Sequence, residues 1–214
     1  MKRHEQLQGL YAITDPKLTP SDTLAESVAA ALKGGARIIQ YRDKSGDHDK
    51  RLREACTLLA LCEQHEAILM INDDVNLAEA CGAHGVHLGL TDTAIMAARR
   101  QLGPTKLIGA TCHGAMENAY RAQNDGADYV AFGRFFPSPT KPDAPPARLD
   151  DIAPYLQTLT IPAVAIGGIT LANAPQLRAA GFAMLAVVAD IFDRTDIETH
   201  CQHYARLFEN NPQE

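Results

Sequence analysis

Residues 68–92 read ILMINDDVNLAEACGAHGVHLGLTD, and this stretch decides how the chain folds. Two short apolar runs, 68–71 and 85–88, flank a segment with helical spacing. Runs without polar alternation are typical of parallel strands buried on both faces. A carboxylate follows each run, Asp73 after the first and Asp92 after the second. Because the carboxyl ends of adjacent parallel strands meet at one edge of a sheet, we expect a site of oxygen ligands there, which suits Mg²⁺.

A simpler interpretation makes Asp74 and Asp92 N-caps of the helices that follow the two strands. We adopt it for Asp74, which directly precedes the helical segment. For Asp73 and Asp92 together we favour metal binding.

The size and composition of the chain indicate a soluble protein of one domain. Its 214 residues suffice to bury a full core. The formal net charge of −6 argues against a basic surface that binds nucleic acid. No apolar run reaches membrane-spanning length, and no apolar segment follows the basic start MKRHEQLQG. The five cysteines are an odd number and lack CxxC spacing, a pattern that fits reduced thiols better than a set of disulfides. We therefore expect a cytoplasmic protein with neither a nucleic-acid nor a membrane partner; nothing in the sequence specifies an oligomeric state.

Strand-like and helix-like segments alternate about eight times, at a spacing of roughly 25 residues, a pattern typical of a (β/α)8 barrel. The predicted strands are 9–13, 37–41, 68–71, 85–88, 107–110, 129–132, 162–166 and 184–188. A doubly wound open sheet is the alternative, but it usually has fewer strands at this length. We therefore expect a single TIM-barrel domain over residues 1–214, with the barrel itself at about 9–210.

A barrel places the carboxyl end of every strand on one rim, where barrel enzymes hold their chemistry. Gln40, Arg42 and Lys44 alternate at the end of the second predicted strand, so their side chains point the same way. Two cations beside a Mg²⁺ site suit a pyrophosphate, which needs charge and several donors. For any one residue alone, a solvated strand end is the better explanation. The alternation beside a carboxylate pair is what predicts a phosphate site.

A second anion site is predicted after the seventh and eighth strands. Gly167 and Gly168 follow the seventh, where barrels commonly bind a monophosphate. Their N–H groups can approach an anion closely, although a tight turn would need the same glycines. Val188 and Ala189, after the eighth strand, can add backbone donors to the same phosphate.

The segment 133–148, GRFFPSPTKPDAPPAR, is long for a barrel connection, and long loops in compact domains are often functional. The hydroxyls of Ser138 and Thr140 can bond phosphate oxygens, and Lys141 can supply a charge. Composition alone fits a proline-rich surface loop equally well.

Four histidine and cysteine residues near the strands are further candidates for chemistry. His113, at a strand end, is either an acid–base group or a structural histidine. Cys112 beside it is interpreted as inert, although its place near the rim leaves a reactive thiol open. His84 and His87 have HxxH spacing, but a strand does not put positions i and i+3 on one face, so zinc is not expected.

Seven segments together closely resemble the thiamine-phosphate synthase family. In order they are LYAITD, IIQYRDK, INDDVNLA, GVHLG, IGATCH, DYVAFGRFFPSPTKP and AVAIGGIT. The likeness runs from about Leu10 to Ile191, nearly the whole chain. It implies a (β/α)8 transferase of thiamine biosynthesis that joins hydroxymethylpyrimidine pyrophosphate to hydroxyethylthiazole phosphate, with release of pyrophosphate and Mg²⁺ as cofactor. The expected partners are these two small molecules.

The resemblance also implies roles for individual residues. The positions that hold the pyrimidine pyrophosphate are Gln40, Arg42, Lys44, Asn72, Thr111 and Lys141. Those that bind Mg²⁺ are Asp73 and Asp92. Those that meet the thiazole phosphate are Ser138, Pro139, Thr140, Gly168, Val188 and Ala189. The catalytic charges would come from Arg42, Lys44 and Lys141, because loss of pyrophosphate should pass through a cation-like transition state with charge on the leaving group.

The departures from the family pattern are mild. Thr111 stands where serine is more common and keeps the hydroxyl, whereas Ala189 replaces a common serine and leaves only its N–H. Leu90 stands where glutamine is frequent.

Two other functions compete with a synthase. A related thiazole tautomerase uses a similar barrel with a histidine at the position of His113, and a non-catalytic barrel could bind thiamine precursors. Such proteins usually lack part of the charge and metal set that this chain keeps, so we favour the synthase. Fold alone does not decide, because barrels host many functions.

Overall fold

Eight parallel strands close into a barrel, as predicted, and helices cover its outside. The computed structural model describes residues 6–138 and 145–209. The strands are β1 (Gly9–Ile13), β2 (Ala36–Tyr41), β3 (Ile68–Asn72), β4 (Gly85–Leu88), β5 (Leu107–His113), β6 (Tyr129–Phe132), β7 (Ala163–Ile166) and β8 (Met184–Val187). Each strand pairs with the next in chain order, and β8 pairs with β1 to close the sheet.

The helices follow the strands around the outside. They are α1 (Leu24–Lys33), α2 (His48–Gln64), α3 (Val75–Cys81), α4 (Ile95–Leu102), α5 (Met116–Asn124), α6 (Leu149–Ile152), α7 (Ala174–Ala179), α8 (Ala189–Phe192) and α9 (Ile197–Glu209). A 3-10 turn, Ala153–Thr158, continues α6. The sequence did not predict α8, because one turn is too short to show a helical period. Within the two described ranges, no helix is long and apolar enough to cross a membrane.

Alternation along the strands divides the apolar side chains between two cores. In β1, Leu10 and Ala12 pack outward against the helices, whereas Tyr11 and Ile13 point into the barrel. An eight-stranded barrel is just wide enough for such side chains to fill it, so the interior is a packed core rather than a channel. The polar residues of the strand ends lie above this core.

Asp128 ties several segments together at the amino end of the barrel. It is buried immediately before β6. Its Oδ2 accepts hydrogen bonds from the Ile108 N–H (2.8 Å) and from Arg99 Nη2 (2.5 Å). Arg99 also donates to the carbonyl oxygens of Lys106 and Gly103, which precede β5. This end of a barrel serves stability rather than chemistry.

Replacing Asp128 by alanine should therefore lower the free energy of unfolding by about 2–4 kcal/mol, because it leaves the buried Ile108 N–H without its acceptor and removes the carboxylate that pairs with the Arg99 guanidinium. Urea denaturation would measure the change. Asp150→Ala is the matched control, since Asp150 is exposed in α6 and should change stability by less than about 0.5 kcal/mol. Equal stability of the two variants would contradict the structural role of Asp128.

Candidate active site

A cavity of about 690 Å³ opens at the carboxyl ends of the strands and contains most of the predicted site. The predicted residues that line it are Gln40, Arg42, Lys44, Asn72, Asp73, Asp92, Thr111, Ser138, Gly168, Val188 and Ala189. They come from six different strand ends and the loop after β6, as the barrel prediction requires. The predicted residues Pro139, Thr140 and Lys141 lie outside the described residues.

The carboxylate pair forms one side of this cavity. Asp73 directly follows β3, and its N–H donates to the His87 carbonyl (2.8 Å), which continues the pairing with β4. Its Oδ2 accepts from Lys44 Nζ (2.7 Å) and from Asn72 Nδ2 (2.7 Å). The carboxylate of Asp92 accepts from the Gly89 N–H (2.7 Å) and lies within hydrogen-bonding reach of Asp73. The two aspartates are thus brought together, as predicted.

The two carboxylates differ in acidity because of their surroundings. Burial acts to raise the pKa of Asp73, but hydrogen bonds from Lys44, Asp92 and Asn72 outweigh it and hold that pKa below its usual value. Burial and the neighbouring Asp73 together raise the pKa of Asp92. Two carboxylates in contact cannot both ionise easily, so this point of the cavity attracts a cation.

The donor set suits Mg²⁺ in particular. No group of three or more His, Cys, Asp or Glu side chains in 6–138 and 145–209 is arranged to hold a metal alone. Mg²⁺ is commonly bound by one or two carboxylates and takes its remaining ligands from water and substrate phosphates. Asp74, by contrast, caps α3, with its Oδ1 accepting from the Leu77 N–H (2.9 Å), which confirms the N-cap interpretation for that residue.

The basic residues extend the site along β2. Arg42 follows β2, its N–H donating to Thr14 Oγ1 (2.9 Å) and its Nη1 lying 3.8 Å from Asp15 Oδ2. Lys44 is the more exposed cation, and its ammonium reaches across to Asp73. These two charges and the carboxylate pair thus share one wall of the cavity.

The glycine pair after β7 has a packing role as well as a position in the cavity. Gly167 and Gly168 have φ angles of +101° and +62°, which favour glycine. A Cβ at Gly168 would lie 2.3 Å from the Pro137 carbonyl oxygen. The loop after β6 packs on this turn, with the Phe135 N–H donating to Ile166 O (3.2 Å) and the Phe136 N–H donating to Gly167 O (3.0 Å). The glycines therefore hold the start of the long loop over the cavity.

Asp190, in α8, is a cavity residue that sequence reasoning missed. Its carboxylate accepts from Arg194 Nη2 (2.6 Å), His200 Nε2 (2.8 Å) and the Tyr204 hydroxyl (2.7 Å). Burial alone would raise the pKa of Asp190, but these hydrogen bonds lower it. Hydrogen bonds from these three side chains therefore stabilise the negative charge of Asp190, which lies next to Ala189 in the chain. The spacing of His200 and Tyr204, four apart on α9, is the signal that could have indicated a shared partner.

Two cavity-lining residues on the strands were also missed as site residues. Tyr11 lies within the predicted strand 9–13 and was given no role of its own, and His87 on β4 was considered only for zinc. Both belong to a buried polar network at the cavity floor.

The structure also places the two residues whose roles were open. His113 lines the cavity in a left-handed conformation (φ +50°). Cys112 is fully buried, and burial raises the pKa of its thiol to about 12, which agrees with an inert residue.

Comparison with known proteins identifies the family. The family model described as thiamine monophosphate synthase matches residues 10–191. A thiamine-phosphate synthase from Thioalkalivibrio sulfidiphilus is 49% identical over 205 residues, covering 96% of this chain and 97% of the relative. The chain belongs to the thiamine-phosphate synthase family. A thiamine-phosphate synthase from Marinobacter nauticus is 50% identical over 202 residues, covering 94% of this chain and 90% of that protein.

The fold of the family agrees with the barrel described above. A structure of thiamine phosphate pyrophosphorylase from Pyrococcus furiosus superimposes with a TM-score of 0.87 at 33% identity, over 95% of this chain and 96% of the other. The sequence-based assignments to the thiamine-phosphate synthase family and to a transferase are therefore confirmed.

Asp73 combines a functional position with backbone strain, since its φ is +63°. Asp73→Gly should change the free energy of unfolding by less than about 0.5 kcal/mol, because glycine adopts this conformation without strain and this gain offsets the loss of the Asn72 hydrogen bond to the carboxylate. The lost contact with the exposed Lys44 contributes little. Urea denaturation would measure both this variant and its neighbour.

Asp74→Gly is the matched control. It removes the N-cap of α3 and the ion pair with Arg51 (2.9 Å), and it should lower stability by about 0.5–1 kcal/mol. If Asp73→Gly is as destabilising as Asp74→Gly, strain at Asp73 is not significant.

Proposed function

We propose that this transferase joins hydroxymethylpyrimidine pyrophosphate to hydroxyethylthiazole phosphate, forming thiamine phosphate and releasing pyrophosphate, in the cytoplasm. One observation carries the proposal. A single cavity has acidic and basic groups suited to a pyrophosphate with Mg²⁺ on one wall, and a second set suited to a monophosphate at the end of β7 and β8. Two phosphorylated substrates need two such regions.

The pyrophosphate would lie against the wall formed by Arg42, Lys44 and Asn72. Asp73 and Asp92 would hold the Mg²⁺, which supplies positive charge for the leaving pyrophosphate. Lys44 now donates to Asp73 at 2.7 Å, so this ammonium is already within reach of a phosphate that joins the carboxylate pair. Lys141 is proposed as a further cation from the family resemblance alone.

The pyrimidine ring would lie deeper, at the cavity floor. Gln40 is almost completely buried at the end of β2, and Thr111 lies at the end of β5. These two polar side chains can form hydrogen bonds with the edge of an aminopyrimidine. Asp73 and Asp92, as Mg²⁺ ligands, cannot do so.

The thiazole phosphate would bind at the opposite end of the cavity. Its proposed contacts are Ser138, Pro139, Thr140, Gly168, Val188 and Ala189. The carboxylate of Asp190 nearby is paired with Arg194 and His200, so it should not repel the phosphate. In this proposed arrangement the two anionic groups would lie on opposite sides of the reacting atoms.

The reaction exchanges one bond for another. The bond between the pyrimidine methylene carbon and the pyrophosphate oxygen breaks, and the bonding electrons leave with pyrophosphate. The thiazole nitrogen then donates its lone pair to the cation-like carbon and becomes the thiazolium nitrogen. No proton has to move, so the residues act by positioning both substrates, by stabilising charge on pyrophosphate and by excluding water that would capture the carbon.

Asp92→Ala tests the proposed Mg²⁺ site of Asp73 and Asp92. It should lower thiamine phosphate formation at a fixed Mg²⁺ concentration by about 100-fold or more, because charge on the leaving group loses its main stabilisation. An end-point assay with both substrates would measure it, and chelation of Mg²⁺ should abolish product for the native chain. Asp22→Ala, at an exposed aspartate before α1, is the control and should keep full activity. Equal activity of the two variants would refute the metal role of Asp92.

A further inference from the structure

The floor of the cavity contains a continuous set of buried hydrogen bonds, which we call the floor network: Gln40, Tyr11, Tyr129, His87 and Thr111. Gln40 Nε2 donates to the Tyr11 hydroxyl at 2.7 Å. The Tyr11 and Tyr129 hydroxyl oxygens are 2.8 Å apart. The Tyr129 oxygen lies 3.0 Å from His87 Nδ1, and His87 Nε2 lies 3.0 Å from Thr111 Oγ1. The five residues come from five different strands.

Burial keeps these hydroxyls protonated. Tyr11 and Tyr129 are 1% and 0% exposed, and burial raises the pKa of both phenols far above neutrality. Each tyrosine therefore has one proton to donate and an oxygen that can accept. An unpaired polar group at this depth would be costly, so each oxygen and each proton in the network needs a partner.

The direction of every hydrogen bond follows from the Gln40 end. The amide nitrogen of Gln40 can only donate, so the Tyr11 oxygen accepts from it. Among the described residues the Tyr129 oxygen is the one acceptor that the Tyr11 hydroxyl reaches, so the Tyr11 proton goes to Tyr129. Tyr129 then donates its own proton to His87 Nδ1. His87 must carry its proton on Nε2 and donate it to Thr111. The Thr111 hydroxyl oxygen is thereby used as an acceptor.

Two groups are left without a partner inside the floor network, one at each end, and both belong to residues that line the cavity. Among the described residues no hydrogen bond is formed by the Gln40 amide oxygen, an acceptor, or by the hydroxyl proton of Thr111, a donor. An aminopyrimidine has an amino donor beside ring-nitrogen acceptors. The two ends of the network are therefore complementary to such a ring and its substituents.

We propose that Tyr11, Tyr129 and His87 are positioning residues that fix Gln40 as an acceptor and Thr111 as a donor for the pyrimidine substrate. The inference rests on the proposed function for the identity of that substrate. Its structural part, one direction of hydrogen bonding with His87 as the neutral Nε2–H tautomer, does not.

The geometry around Gly109 shows how the network spans the barrel. Gly109 on β5 pairs with His87 on β4 and with Tyr129 on β6. A Cβ at Gly109 would lie 2.1 Å from Cζ of Tyr129 and 2.3 Å from its hydroxyl oxygen. The ring of Tyr129 therefore crosses β5 at the one place where that strand has no side chain. It stacks on His87 with ring centroids 5.6 Å apart and an interplanar angle of 25°.

The tautomer of His87 is the first test. Nitrogen-15 NMR of histidine-labelled protein distinguishes a protonated from an unprotonated ring nitrogen, and the signals of His87 are those lost in His87→Gln. The expected result is a neutral ring with its proton on Nε2. An Nδ1–H tautomer or a doubly protonated ring would overturn the proposed direction. This outcome does not depend on whether the chain makes thiamine phosphate.

The second test measures binding. Tyr129→Phe keeps the ring and removes one hydroxyl, so His87 Nδ1 loses its donor and Tyr11 its acceptor. The expected result is a mixture of His87 tautomers and a Kd for hydroxymethylpyrimidine pyrophosphate with Mg²⁺ that rises about 10- to 100-fold by calorimetry, while the KM for thiazole phosphate stays within about twofold.

Tyr120→Phe is the matched control. Its hydroxyl pairs with Thr158 at the surface (2.7 Å), and its loss should change neither quantity. Unchanged pyrimidine binding by Tyr129→Phe would overturn the positioning role. If the native chain binds the pyrimidine but forms no thiamine phosphate, the proposed reaction fails and the floor network stands.

Discussion

Closure of the sheet between β8 and β1 is the constraint on which the rest of the structure depends. Four paired positions join these strands, from Gly9 with Met184 to Ala12 with Val187. Once the sheet is closed, the carboxyl ends of all strands share one rim, and alternate side chains must fill a narrow interior. Both the functional cavity and the packed core below it are consequences of that single pairing.

Charge in the cavity is arranged in neutralising sets. Asp73 is matched by Lys44, and Asp190 is matched by Arg194. A chain with a net charge of −6 would otherwise repel two phosphorylated ligands. Because Asp73 and Asp190 each have a basic partner, an incoming phosphate meets less uncompensated negative charge at these two points of the cavity.

Local patterns in the sequence were enough to predict the barrel and much of its rim. Apolar runs such as Ile68–Asn72 reveal strands because both of their faces are buried, and the residue after the run must then lie on the rim. Asp73 could be found in this way. The partners of Asp190 could not, because α8 is only one turn long and because contact with His200 depends on how α9 docks.

The floor network was hidden from the sequence for a different reason. Strand alternation shows that Tyr11 and Tyr129 face inward, but it does not show which inward residues touch across the barrel. That contact depends on the room above Gly109 and on the shear of the closed sheet. From sequence alone, an inward-facing tyrosine in a small barrel is therefore indistinguishable from an ordinary core residue. The register of the neighbouring strands is needed to tell the two apart.

Gly109 and Tyr129 also constrain the substitutions that each position can accept. Any side chain at position 109 collides with the aromatic ring, and a residue small enough at 129 to remove that collision has no hydroxyl at the centre of the barrel. The two positions should therefore show strong epistasis, in which a joint change restores packing but not the hydrogen bond to His87. A chain that keeps Tyr129 in this position therefore needs glycine at position 109.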